Sequence, residues 1–293
     1  MDVTVLGSAN PCPQPERAGT GLAVEIADDT LLVDTGPLTS YRLIEAGFDF
    51  TAIEDVFYTH HHMDHNVDFF HFALMSWYMG RDALTLYGPT GTQDLVDGLL
   101  TAFDRHIEDT AQWRHRGTEG LTDITVVDVE DGFEYRGDGW TVTACPTDHA
   151  YALDVFAYRF EETATGETVA FSGDTTPLDR IVDFVTDIDL LIHECNIQGA
   201  EETPLKRGEA HDRYFEAPYA AYFDWVLGET TQDELDDQLH TAPEEAGRIA
   251  ERAGVETLVL THLNARRNPS DIAAAANEVF SGDVRVASDL TTY

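Results

Sequence analysis

Residues 59–65 read Thr-His-His-His-Met-Asp-His, and they contain the spacing His60-x-His62-x-Asp64-His65. Two imidazoles two residues apart, followed by an adjacent carboxylate and imidazole, put four good metal donors on one short loop. The run 53–58 before it is apolar and strand-like. After it, residues 66–79 carry Phe69, Phe72, Ala73, Ser76 and Trp77 at spacings that suit one helix face. A strand end opening onto a helix is where ligands converge in layered α/β proteins. Read alone, the loop also fits a solvated, His-rich surface segment; a tag would lie at a terminus and be uniform.

Further donors decide between these readings, and they share one setting: an apolar strand with a donor just past its end. Residues 141–148 lead to His149, residues 169–173 to Asp174, and residues 258–261 to His262. Each alone has an ordinary explanation as a turn or a polar strand edge. Seven donors at strand ends on one side of a sheet argue for a metal site.

Strand-like runs fall into two similar series. The first has 3–6, 22–26, 31–33, 56–58 and 84–87, with helices expected near 66–79 and 90–103. The second has 124–127, 140–144, 155–160, 168–171, 190–192 and 257–260. Helices are expected with it near 177–186, 243–253 and 270–280, and 284–287 closes the sheet. Two β-rich halves with helices outside predict an α/β protein built as a four-layer αββα sandwich. No Pro-, Gly- or Ser-rich linker separates the halves, so one domain over 1–293 is expected. It carries insertions near 104–120, which looks irregular, and 197–239.

With 43% hydrophobic and 10% aromatic residues the chain can bury a sizeable core. Its 55 acidic against 17 basic residues give a formal net charge of −38, and Lys206 is the single lysine. Persistent apolar periodicity argues against disorder, so a folded protein with a carboxylate-rich surface, from a source with molar internal salt, is expected. At about 1 M salt the Debye length is roughly 3 Å, which screens the surface self-repulsion. Cys12, Cys145 and Cys195 are widely spaced, odd in number and form no C-x-x-C pair. A disulfide scaffold is therefore not expected. No apolar run approaches a membrane span and no signal segment is visible, so a soluble cytoplasmic protein without membrane contact is expected.

The ordered motifs resemble the metallo-β-lactamase superfamily: an H-x-H-x-D-H loop, a distant His, an Asp and a last His, covering nearly the whole chain. The resemblance implies that His60, His62 and His149 hold one zinc ion, Asp64, His65 and His262 a second, and that Asp174 bridges them. Manganese or iron(II) are the other candidate metals. It also implies that a hydroxide shared by the two ions is the nucleophile, oriented by Asp64. Asp34, in the run 31–36, resembles the family's Asp that braces the ligand loop; it also fits a turn cap. His61 is left over as a structural residue. His62 stands where diiron redox members have a carboxylate. Asp174 stands where the main zinc β-lactamases have Cys.

In the second half, Leu191-Ile192-His193-Glu194-Cys195 resembles the H-E-A-T segment of ribonuclease Z, and His240-Thr241-Ala242 resembles its H-S-T loop. That resemblance makes His240 the proton donor to the leaving group, with Glu194 as supporting carboxylate, and leaves His193 as a packed strand histidine. The chain departs from ribonuclease Z in three places. No basic arm is visible, Thr35-Gly36-Pro37-Leu38 replaces the early Gly-Glu-Gly-Thr element, and the stretch between Glu194 and His240 is long. Tyr214, Phe215, Tyr219, Tyr222, Phe223 and Trp225 form a stripe there that fits core, a subunit interface or a lid. Gly7-Ser8-Ala9-Asn10-Pro11 and Asp289-Leu290 resemble a branch with arylsulfatase-like and small phosphodiesterase members.

The expectation is a dinuclear zinc hydrolase of phosphodiester-type bonds, ribonuclease Z-like, assembled as a homodimer. A sulfatase-like or other small-ester hydrolase on the same centre is the alternative, and a non-catalytic binding protein the rival of a different class. The substrate expected is a small phosphodiester or sulfate ester, with RNA as a further candidate. The net charge opposes phosphate binding, although Arg114-His115-Arg116 and Arg266-Arg267 offer local positive charge.

Overall fold

The computed structural model describes residues 1–115, 117–149, 153–196, 240–264 and 267–293. The insertion at 197–239 with its aromatic stripe, and Arg116 and Arg266, lie outside the described residues.

The first sheet contains β1 (Asp2–Gly7), β2 (Gly21–Ile26), β3 (Asp29–Val33), β4 (Asp55–Phe57), β5 (Thr85–Gly88), β6 (Thr125–Asp128) and β14 (Thr291–Thr292), in the order β14-β1-β2-β3-β4-β5-β6. The second contains β7 (Glu134–Arg136), β8 (Trp140–Pro146), β9 (Phe156–Glu162), β10 (Thr168–Phe171), β11 (Leu190–Glu194), β12 (Thr257–Thr261) and β13 (Asp283–Val286), in the order β13-β12-β11-β10-β9-β8-β7. Each sheet runs antiparallel and then parallel: β3 to β6 are parallel in the first, β10 to β13 in the second.

Alternation along the strands builds the layers. Val3, Val5, Leu31, Val33 and Phe57 face Tyr158, Phe160, Val169, Ile192 and Val259 across the gap between the sheets. The residues between them, Leu6, Leu32 and Val56, turn outward beneath α1 (Thr39–Ala46), α3 (Phe69–Met79) and α4 (Thr92–Ala102). Leu191, Leu258 and Leu260 do the same beneath α6 (Asp179–Phe184), α7 (Pro243–Ala253) and α8 (Pro269–Asn277). Parallel strands covered on both faces need near-continuous apolar runs, and that is why 31–33, 190–192 and 257–260 stand out in the sequence. Helices outside two facing sheets make the αββα sandwich. Phe57 joins the halves: it stacks on Tyr87 at 4.4 Å and meets Trp140, Tyr158 and Phe160 edge-on. Phe57→Ala would cost about 3–5 kcal/mol at such a site.

Several elements differ from expectation. The first part of the 104–120 stretch is a regular helix, α5 (Asp104–Arg114), which buries only Ile107 and Thr110. So little burial leaves almost no apolar period to read. The strand at 124–127 belongs to the first sheet, as β6 pairs with β5. The helix expected over 66–79 is two: α2 (Met63–Asn66) and α3. Asp68 separates them because its carboxylate accepts from Ser40 N and Ser40 Oγ, both at 2.6 Å, which ties α1 to α3. Arg81, 1% exposed, closes α3 by donating to Ala73 O and Ser76 Oγ, and reaches Gly120 O beyond α5. Among the described residues no helix is long and apolar enough to cross a membrane.

Because β3, β4, β10, β11 and β12 run in parallel sets, their C-terminal ends share one rim. Asp34, Thr59-His60, Asp174, Glu194 and His262 stand at or just past those ends.

Candidate metal centre

Three imidazoles converge first. His60 Nε2 lies 3.0 Å from His62 Nδ1, which lies 3.1 Å from His149 Nε2. Asp174 Oδ2 is 3.9 Å from His60 Nε2 and 3.6 Å from His149 Nε2. On its other side the same oxygen is 3.5 Å from His65 Nε2 and 3.3 Å from His262 Nε2. Asp64 Oδ2 completes that side, 3.5 Å from His65 Nε2 and 3.9 Å from His262 Nε2. All seven donors foreseen from the sequence therefore come together, in overlapping triads: His60–His62–His149, His60–His65–Asp174, Asp64–His65–His262 and His149–Asp174–His240.

The spacing fits metal ions. Two donors each about 2.0–2.1 Å from a tetrahedral ion lie about 3.3 Å apart, the range these atoms occupy. Among the described residues, Asp64 Oδ2, His65 Nε2, Asp174 Oδ1 and His262 Nε2 are buried with no hydrogen-bond partner. Four buried polar atoms without partners, all on residues of this cluster, are costly unless something charged joins them.

Neighbouring side chains fix which ring nitrogen carries the lone pair. Thr59 Oγ1 donates to Asp34 Oδ2 at 2.8 Å, so it accepts from His60 Nδ1–H at 3.0 Å and leaves His60 Nε2 bare. His65 Nδ1–H donates to Asp34 Oδ2 at 2.7 Å, which leaves its Nε2 bare. His262 Nδ1 meets Thr20 Oγ1 at 3.2 Å while that hydroxyl donates to Ala9 O. Asp34 also accepts from Thr59 N, so its carboxylate braces the ligand loop rather than capping a turn.

Protonation favours the same state at His60, His62 and His262 and runs the other way at His65 and Asp64. Burial holds His60 and His262 well below the usual histidine range and brings His62 down to about 4. These rings are neutral lone-pair donors at pH 7. Burial opposes charge on His65, yet Asp174, Asp64 and Asp34 together raise it well above the usual value. Burial also opposes the Asp174 anion, but His262 and His65 hold that carboxyl well below its usual range. Burial raises Asp64.

The backbone is shaped for this. Gly36 lies against the ligand loop, where an added Cβ would come 2.1 Å from Asp64 O. Gly173 has φ +58°, and a Cβ there would come 2.8 Å from Phe156 O. Asp34 and His262 themselves sit at φ +58° and +56°.

His240 and Glu194 lie at the edge of the cluster. Glu194 Oε1 is 3.0 Å from His240 Nδ1, and the His240 ring is 4.7 Å from that of His149. His240 also offers a nitrogen within 4.8 Å of donors on His149 and Asp174. His193 is a buried strand residue whose Nδ1–H donates to Glu194 O at 2.8 Å. His61 meets Thr92 Oγ1 at 2.9 Å and ties the ligand loop to the start of α4. Sequence reasoning missed Thr20 and Thr59. Neutral residues of common types carry no local signal of such roles.

The family model described as "Beta-lactamase superfamily domain" matches residues 29–263, well over half the chain. A ribonuclease Z of Mycobacterium bovis (strain BCG / Pasteur 1173P2) is 28% identical over 99% of this chain and 96% of its own. The metallo-β-lactamase fold protein YhfI of Bacillus subtilis superposes with a TM-score of 0.72 at 22% identity, covering 100% of this chain and 98% of its own. A diphosphatase of the PhnP family superposes with a TM-score of 0.66 at 16% identity, covering 100% of this chain and 96% of its own.

Proposed function

The chain belongs to the metallo-β-lactamase superfamily, and from that premise we propose that it is a dinuclear zinc hydrolase of phosphodiester-type bonds, ribonuclease Z-like. The supporting observation is the placing of Asp174 Oδ2 within 3.9 Å of His60 and His149 on one side and of His65 and His262 on the other, with the His240–Glu194 pair beside them. In this reading His60, His62 and His149 hold one ion, Asp64, His65 and His262 the other, and Asp174 spans both. Bound there, the ions would supply Lewis-acid stabilisation of charge on the phosphoryl oxygens and a water acidic enough to attack at neutral pH.

The protein's own groups do the rest. Asp64, with one oxygen among the donors, orients the attacking water. His240 gives a proton to the departing alkoxide or phenoxide oxygen. Glu194, whose Oε1 accepts a hydrogen bond from His240 Nδ1–H at 3.0 Å, orients the ring and supports the imidazolium form, whose Nε2–H is the proton given to the leaving oxygen. The excess of 55 acidic over 17 basic residues favours a small diester over RNA. A sulfate or other small ester is the second reading; the fold shared with a diphosphatase is compatible with it.

The deciding experiment assays bis-aryl phosphate, aryl sulfate and precursor transfer RNA side by side in molar salt, with metal analysis of the same sample. Fewer than about one zinc or manganese ion per chain would remove the mechanism. Turnover of sulfate alone would move the reading to the second ester class, and metal without turnover of any ester would favour a binding protein. His262→Ala retaining full activity would refute the two-ion assignment. The homodimer and cytoplasmic location expected above belong to this same proposal; sedimentation in high salt and fractionation of cells test them.

A further inference from the structure

Glu194 is fully buried, and its carboxylate is aimed by backbone donors from separate places. Oε1 accepts from Thr175 N at 2.9 Å and Thr241 N at 3.3 Å, beside His240; Oε2 accepts from Asn196 N at 3.1 Å. The Asn196 amide lies beyond β11, whose ladder is continued, among the described residues, by Cys195 N donating to Thr261 O. Among the described residues no strand pairing reaches Asn196. A side chain does: Asn10 Nδ2 donates to Asn196 Oδ1 at 3.0 Å.

The direction of that amide is determined by its neighbours. Asn10 Oδ1 accepts from Cys12 N at 3.3 Å and Gln14 Nε2 at 3.4 Å, so the nitrogen must be the end facing Asn196. Asn10 is itself fastened to the residue after His262. Its N–H donates to Leu263 O at 3.2 Å, Gln14 Nε2 donates to the same oxygen at 2.7 Å, and Leu263 N donates to Ser8 O at 2.7 Å. Both asparagines are buried, at 7% and 9% exposure. A buried amide pair is costly unless its hydrogen bonds are kept.

We propose that Asn10 and Asn196 are positioning residues that lock the Glu194 carboxylate, and through it His240, in register with His262. The claim rests on the phosphodiesterase reading for its kinetic consequence, not for its geometry. One loop from the end of β1 thereby aligns the proton donor with His262, the metal donor at the end of β12 on the opposite sheet.

The test uses the metal-loaded full chain as wild type, Asn10→Ala, Asn196→Ala and the double variant, with His240→Ala as reference. Proton donation matters more for a poor leaving group than for a good one. In each single variant kcat for diphenyl phosphate should fall about tenfold, while kcat for bis(4-nitrophenyl) phosphate falls less than about twofold. KM should not change, and the double variant should be no worse than either single one. An equal fall on both diesters, or an effect confined to KM, overturns the proposal. Hydrogen exchange at the Thr175 and Thr241 amides is read in parallel and needs no turnover. It should quicken by about tenfold in both single variants, and unchanged exchange also overturns the proposal. If the wild type hydrolyses neither diester, the phosphodiester reading falls and exchange alone decides the positioning claim.

Discussion

Asp34 has the most to do for its size. Its carboxylate holds His65 Nδ1, Thr59 N and Thr59 Oγ1 within 2.9 Å, from a backbone at φ +58° that Asp adopts more readily than most residues. Asp34→Ala is predicted to lower metal affinity about 10–100-fold, the usual cost of losing a residue that orients a histidine ligand. Competition with a chelating dye measures it, and an unchanged affinity would refute the role. His193 makes a second prediction. Burial lowers its pKa, so the unfolded chain binds the proton more readily than the folded one. Its contribution to stability is complete above the unfolded value near 6.5 and is lost as pH falls below it. His193→Gln keeps a donor toward Glu194 O without titrating, so its unfolding midpoint should drop less between pH 7 and pH 5 than the wild type's; parallel curves would sink the idea. The seven donors were legible because His and Asp past the end of an apolar run are uncommon and local. Thr20 and Thr59 were not, since their partners are brought in by packing between distant segments.

Among the elements, the turn from β3 into α1 carries the tightest constraint. Thr35 N donates to His65 O at 2.6 Å, and Gly36 packs under Asp64 with no room for a methyl group. Gly36→Ala must push the ligand loop outward. The predicted cost is about 1–3 kcal/mol of stability, as for other overpacked sites, together with loss of the Asp64-side ion. A thermal melt paired with metal analysis tests both, and a variant with full metal content would contradict the packing argument. Legibility at this scale followed burial. The apolar runs of β3, β11 and β12 were plain because both faces are covered. α1 and α5 were missed because α1 buries only Thr39, Ser40 and Leu43, and α5 only Ile107 and Thr110.

At the scale of the whole molecule, charge and core pull apart. A net of −38 on 293 residues repels itself in dilute buffer, while three apolar clusters hold the layers together. Raising salt from about 0.1 M to about 1 M shortens the Debye length from about 10 Å to about 3 Å, so the midpoint of thermal unfolding should rise clearly across that range. A midpoint that stays level or falls would remove the expectation of a salt-adapted protein. The layered fold itself was readable from two series of strands, but the sheet boundary was not. β6 joins the first sheet by pairing with β5, and nothing local in residues 125–128 distinguishes that from the start of the second sheet.

The division of donors between the sheets has a consequence for biosynthesis. His60, His62, Asp64 and His65 are translated early, long before Asp174 and His262, so a nascent chain displays a metal-seeking peptide with no folded centre to receive the ion. Sheets built from distant pairings assemble slowly, and an ion caught by the early histidines stabilises the unfolded chain instead of the native one. Order of addition should therefore matter: refolding with excess zinc present is predicted to give a lower yield of active protein than refolding first and adding zinc afterwards.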